Sequence, residues 1–168
     1  VGVRQIQSID LVERVTEHVD DIDRLYLTHT HPDHVENVEA ARAAFDVETW
    51  GYDTESAYVD NAVADGDTVP IGDGAYTALY TPGHSTDHLC LYAPDSGVCF
   101  AGDLVFANGS FGRTDLEGGD RPTLVESIKY LHESVDGNLS ALHVGHGPSV
   151  VERPLDDVEL AFRAAQMG

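Results

Sequence analysis

A chain of 168 residues, 42% of them apolar, is long enough for one domain with its own core, and residues 1–168 read as a single domain. Thirty acidic residues against nine Lys and Arg give a net charge of −21, which disfavours nucleic acid as a partner. No apolar run approaches the roughly 18 residues of a membrane span, and the start, at Val1 rather than Met, carries no signal-peptide pattern.

The acids are scattered rather than gathered in a tail, and Lys129 is the only lysine. Such a surface resembles that of proteins from salt-accumulating halophiles, where molar salt shortens the Debye length to about 3 Å and self-repulsion is tolerated. Cys90 and Cys99 lie in apolar runs and form no C-x-x-C pair, so free buried thiols in a reducing cytoplasm are expected.

In chain order, Leu11, Val12, Val15 and Val19 are spaced for a helix over 10–19, with Asp10 as its N-cap. A strand over 24–28 follows, then a helix over 35–45 and a strand over 47–50. Thr54 to Val63 reads as a short helix. Strands are expected over 68–71 and 76–80 around a Gly-Asp-Gly turn, and over 89–93 and 97–101 around Pro94-Asp95-Ser96. A helix over 123–132, a strand over 139–144 and a helix over 155–166 complete an α/β layered domain.

The first strand runs into Thr28-His29-Thr30-His31-Pro32-Asp33-His34. Imidazoles and a carboxylate suit zinc, iron and manganese. Alternation along an extended segment puts His29, His31 and Asp33 on one side, and a turn begun at Pro32 swings His34 back beside them, so one loop can serve two metal ions. Further metal-binding side chains follow on glycine-bearing loops: Pro82-Gly83-His84 through His88, Gly102-Asp103, Gly112-Arg113-Thr114-Asp115 running on to Gly118-Gly119-Asp120, and Gly145-His146-Gly147.

This ordered set resembles the metallo-β-lactamase superfamily over residues 24–150, and the Gly112–Asp120 segment looks like its glyoxalase II and persulfide dioxygenase branch. The resemblance implies an αββα sandwich with a metal site at one edge of two facing sheets. It implies that His29, His31 and His84 hold one divalent metal, that Asp33, His34 and His146 hold a second, and that Asp103 bridges them. Zinc is the first expectation, with iron or manganese as alternatives. Two divalent ions lower the pKa of water and polarise a carbonyl, so an activated hydroxide needs no Ser or Cys nucleophile, and no G-x-S-x-G elbow is present.

The expected activity is hydrolysis of a thioester, a small-molecule thiol conjugate, with Asp33 and Asp103 as catalytic residues. Three rivals are a mononuclear iron persulfide dioxygenase using His29, His84 and Asp103, a metal-dependent RNA nuclease of the same superfamily, and a metal-free binding module with no enzymatic activity. Arg113 and His88 are expected to bind substrate, with alternatives: Arg113 holding its loop through Asp115, His88 orienting a ligand or serving as a capping residue. His143 reads as structural, and His18 and His132 as surface residues.

Members of the superfamily normally carry a β-hairpin and a further strand ahead of the first helix, ending in an I-D-x-G turn. Only Val3–Ile9 precedes the first helix here, and Ser8-Ile9-Asp10 lacks the glycine. The resemblance therefore implies a fold shortened at its N-terminus, with an exposed sheet edge that a second copy in a homo-oligomer would cover.

Overall fold

The computed structural model describes residues 8–135 and 137–167. In chain order its elements are α1 (Ser8–Thr16), β1 (Arg24–Tyr26), α2 (Pro32–Val35), α3 (Val38–Phe45), β2 (Glu48–Gly51), β3 (Asn61–Ala62), β4 (Thr68–Ile71), β5 (Gly74–Tyr80), β6 (Leu89–Ala93), β7 (Val98–Gly102), β8 (Val105–Phe106), β9 (Ser110–Phe111), α4 (Arg121–Ser134), β10 (Ala141–Val144) and α5 (Pro154–Met167).

Side-chain alternation decides how the larger sheet is used. In β6, Leu89, Leu91 and Ala93 face one side while Cys90 and Tyr92 face the other, and all five are buried. A strand apolar on both faces belongs in the middle of a layered structure. Accordingly β6 pairs antiparallel with β5 and β7, β4 extends the sheet beyond β5, and β10 joins parallel to β7. The smaller sheet, in the order β1-β2-β3, is entirely parallel.

Three apolar clusters then fill three interfaces. Cys90, Tyr92, Cys99 and Ala101 pack against Leu124, Ile128 and Leu131 of α4 and Val158 and Ala161 of α5. Between the sheets, Tyr76, Leu89 and Leu91 meet Tyr26 and Trp50. Leu27 and Val59 pack with Val35 and Val38 on the far side of the small sheet. Each such large side chain contributes about 1.5–3 kcal/mol on burial. The layers are therefore helix, sheet, sheet, helix: the expected αββα sandwich. Trp50 is half-buried between the sheets, with its ring centroid 6.4 Å from that of Tyr26 and the Arg24 guanidinium 5.5 Å from its centre.

Several expected elements change. The first helix begins at Ser8, so Asp10 lies inside it rather than capping it. The helix expected over 35–45 is two helices, and the first opens earlier, at Pro32. Residues 54–60 form turns instead of a helix: Asp53 Oδ1 accepts the Glu55 N–H, and the chain then runs straight into β3, which pairs with β2. β8 and β9 had no sequence signal. The expected N-terminal shortening concerns residues 1–7, which lie outside the described residues. Both cysteines are free and buried. Among the described residues no helix is long and apolar enough to cross a membrane.

Asp60 ties this corner together. Its Oδ2 accepts the Thr49 N–H at 2.8 Å and the Arg42 guanidinium at 2.9 Å, joining the β2–β3 connection to α3. The Thr49 N–H and hydroxyl, together with Arg42, hold the Asp60 carboxyl below its ordinary value. That contribution is present above the unfolded pKa of about 3.9 and is lost as pH falls through the lower folded value. Asp60→Ala is therefore expected to lower the melting temperature by a few degrees at pH 7, with the difference from wild type closing in acid. Thermal unfolding of both proteins at neutral and acid pH checks this; equal melting at pH 7 would refute it.

Candidate metal centre

Thr28 joins the two sheets at the place where the first histidine loop leaves. Leu27 N–H donates to Trp50 O within the small sheet, and Thr28 O accepts the Leu89 N–H from the large one at 2.7 Å. His29 follows, only 1% exposed. His31 occupies the extended N-cap position of α2, and Pro32 at the first helical position fixes the turn. His34 then falls on the first turn, with its ring centroid 4.0 Å from that of His29.

The remaining candidates arrive at the same edge from the large sheet. His84 lies on the loop between β5 and β6, Asp103 directly after β7, and His146 after β10. His31 Nδ1 is 2.9 Å from His84 Nε2, and His34 Nε2 is 3.2 Å from His146 Nε2. Asp33 Oδ2 lies 3.1 Å from His146 Nε2. Asp103 Oδ2 is 3.5 Å from His34, 3.5 Å from His84 and 3.3 Å from His146. The structure thus brings all seven residues together, with Asp103 between the two histidine groups. A Cβ at position 145 would overlap Asp103 Oδ1, which is why the loop after β10 needs glycine there.

Two polar atoms in this cluster, His29 Nε2 and Asp103 Oδ1, are buried without a hydrogen-bond partner among the described residues. An orphaned buried acceptor costs about 1–3 kcal/mol. His29, His31 and His84 each offer an atom within 4.8 Å of one another; so do His29, His34 and Asp103, and so do Asp33, His34 and His146. Converging imidazole nitrogens and carboxylates with orphaned lone pairs are a donor set that divalent cations satisfy, so the residues present fit the expected ions.

The electrostatics follow from burial and from these neighbours. Burial, aided by the surrounding imidazoles, holds His29 far below its ordinary value, and burial and His84 lower His31. Burial also opposes protonation of His34, but the Asp103 carboxylate outweighs it and raises His34. Reciprocally, burial would raise Asp103, yet His34 and then His146 and His84 hold it below the usual carboxylate value.

A cavity of about 410 Å³ opens over the cluster, with His31, His84, Asp103 and His146 at its floor. Its apolar wall is Phe106, Phe111 and Leu116; Phe106 and Phe111 carry no sequence signal because two-residue strands show no periodicity. Arg113 lines the cavity, and its guanidinium also forms a two-point contact with Asp115, at 2.7 and 2.6 Å. Its backbone oxygen accepts from His84 Nδ1 at 2.8 Å. His88 corrects an expectation: it is completely buried and absent from the cavity wall, so it cannot touch substrate. His143 is bonded to Ser149 and stacked on Phe100.

Asp87 was also missed, although it lies between His84 and His88. It is 7% exposed, and its carboxylate accepts the Thr30 N–H and hydroxyl and the Ser85 hydroxyl at 2.7–2.9 Å. It therefore clamps the His29–His31 loop to the His84 loop.

An αββα sandwich with a histidine–aspartate cluster at one sheet edge defines a class of metal-dependent proteins. The model of the Metallo-beta-lactamase superfamily matches residues 5–150, and the chain belongs to that superfamily. It is 30% identical to the probable metallo-hydrolase YqgX of Bacillus subtilis, over 74% of this chain and 68% of that protein. It is 34% identical to a hydroxyacylglutathione hydrolase of Brucella anthropi, over 74% of this chain and 47% of that enzyme. The chain thus spans about half the length of the hydroxyacylglutathione hydrolases it matches. Among solved structures, a di-iron-bound form of TTHA1623 superposes with a TM-score of 0.72 at 25% identity, covering 93% of this chain and 82% of that one.

Removing the Asp87 carboxylate leaves three donors facing an apolar gap. Asp87→Ala is expected to cost about 2–4 kcal/mol and to lower the melting temperature by about 5–10 °C. In the wild type, added zinc should raise the melting temperature by mass action, and the rise should shrink in the variant. Thermal scans with zinc and with a chelator check both; an undiminished zinc-dependent rise would show that the clamp does not matter to the site.

Proposed function

We propose that this chain is a metal-dependent hydrolase that cleaves a small thioester. One observation carries the reading: a buried Asp103 carboxylate within 3.5 Å of three histidines from three separate stretches of chain, at the floor of an open cavity. Likeness to hydroxyacylglutathione hydrolases over 74% of the chain favours a thioester among hydrolysable carbonyls.

His29, His31 and His84 would hold one divalent cation, Asp33, His34 and His146 a second, and Asp103 would be shared. When bound, such ions activate water as a nucleophile and stabilise charge on a carbonyl oxygen; zinc suits the nitrogen and oxygen donors, as do iron and manganese. Asp33, its carboxylate more than half exposed on the cavity wall, orients the attacking water. Asp103 keeps its negative charge at neutral pH, balancing the imidazoles around it. Phe106, Phe111 and Leu116 take the apolar part of the substrate and displace water from it. Among the described residues that line the cavity there is no Ser, Thr or Cys to act as a nucleophile; Cys90 and Cys99 are buried in the core and Ser85 is bonded to Asp87.

Purified protein of known metal content is expected to hydrolyse members of a thioester panel, to lose activity on chelation and to regain it with zinc, manganese or iron. Asp103→Asn should lower kcat/KM by about 10²-fold or more. Protein that cleaves no thioester but consumes oxygen with a persulfide would overturn the proposal in favour of iron-dependent sulfur oxidation.

A further inference from the structure

We infer that His88 is a positioning residue for Asp103: a buried neutral imidazole whose Nε2 accepts the Asp103 peptide N–H and so sets where the shared carboxylate sits. The inference rests on reading the cluster as a metal centre, and not on the identity of the substrate.

The hydrogen-bond geometry allows one arrangement of protons. His88 Nε2 lies 3.0 Å from the Asp103 backbone nitrogen, which can only donate. Nε2 therefore carries no proton, and Nδ1–H donates to Thr81 Oγ1 at 2.9 Å. The Thr81 hydroxyl in turn donates a hydrogen bond to Leu79 O or to Cys90 Sγ, each 3.4 Å away. Thr81 N–H also donates to His88 O at 2.9 Å, so the backbone and the ring of His88 are tied to the same fully buried residue.

The end of β7 is shaped to admit this ring. Gly102 has φ +48, and a Cβ there would lie 2.6 Å from His88 Nε2 and 2.8 Å from Thr28 Cβ. Gly102 and His88 are thus two halves of one contact: the missing side chain lets the imidazole reach the next peptide. Without the acceptor, the Asp103 N–H is buried and unpartnered. The peptide then shifts to find a partner, and the carboxylate leaves its place among His34, His84 and His146. Groups that orient metal ligands in this way typically affect metal affinity by about 10–100-fold.

The test measures metal on the purified chain by zinc competition against a chelator and by the visible absorption of bound cobalt. His88→Leu is expected to weaken zinc by about 10–100-fold and to change the cobalt bands. His88→Gln, whose amide oxygen can stand where Nε2 stands, is expected to recover most of the affinity and the wild-type bands. Thr81→Val leaves the acceptor but frees the ring, and should give a smaller loss of the same sign. A folded His88→Leu protein with wild-type zinc affinity and cobalt bands overturns the inference, as does His88→Gln losing as much as His88→Leu. If His88→Leu does not fold, Thr81→Val decides, and unchanged affinity and bands overturn the inference. A wild-type chain that takes up neither ion removes both this inference and the metallo-hydrolase reading. His88-dependent metal binding without thioester cleavage removes only the choice of substrate.

Discussion

A carboxylate cannot be buried without partners, and Asp103, 5% exposed, is where this fold meets that constraint. Its partners come from three separate stretches of chain: His34 from α2 just after β1, His84 from the loop after β5 and His146 from the loop after β10. The paired displacement of His34 upward and Asp103 downward in proton affinity expresses that mutual dependence. The architecture around the site can be read as the means of delivering these groups to one point.

The delivery uses sheet geometry twice. Parallel pairing of β10 with β7 brings Gly145 beside Gly102, whose carbonyl accepts the Gly145 N–H at 2.8 Å, and this sets His146 beside Asp103. The bond between Thr28 and Leu89 does the same across the two sheets, so that His29 and His84 meet. Asp87 and His88, adjacent in the chain, then secure two different neighbours. Asp87 holds the first histidine loop through Thr30, and His88 holds the peptide of Asp103. Five core residues of β6 buried on both faces give these loops a rigid base.

Much of this was legible in the chain itself. The H-x-H-x-D-H cluster and the later glycine loops pointed to all seven converging residues, because metal-binding side chains placed after strands are a local pattern. The hairpins of β4 to β7 were legible for the same reason, through alternation closed by Gly-Asp-Gly and Pro-Asp-Ser turns. What escaped was long-range. Residues 54–63 have the spacing of a short helix, but Asp60 and Asn61 find partners in β2, and pairing with a strand outweighs a weak helical preference. Phe106 and Phe111 sit on strands too short to show a period. Asp87 looked like one acid among thirty; only its burial beneath Thr30 and Ser85 distinguishes it. His88 was misread as facing substrate, since spacing places it near His84 but cannot say that its ring turns inward.

The position of Trp50 has an optical consequence. It is the chain's only tryptophan, and it sits in the seam between the two sheets beside Tyr26 and beneath Arg24. Its emission therefore reports on whether the sheets are closed upon one another, from a point outside the histidine cluster. The molecule carries a built-in fluorophore that can register separation of its halves without any label being attached.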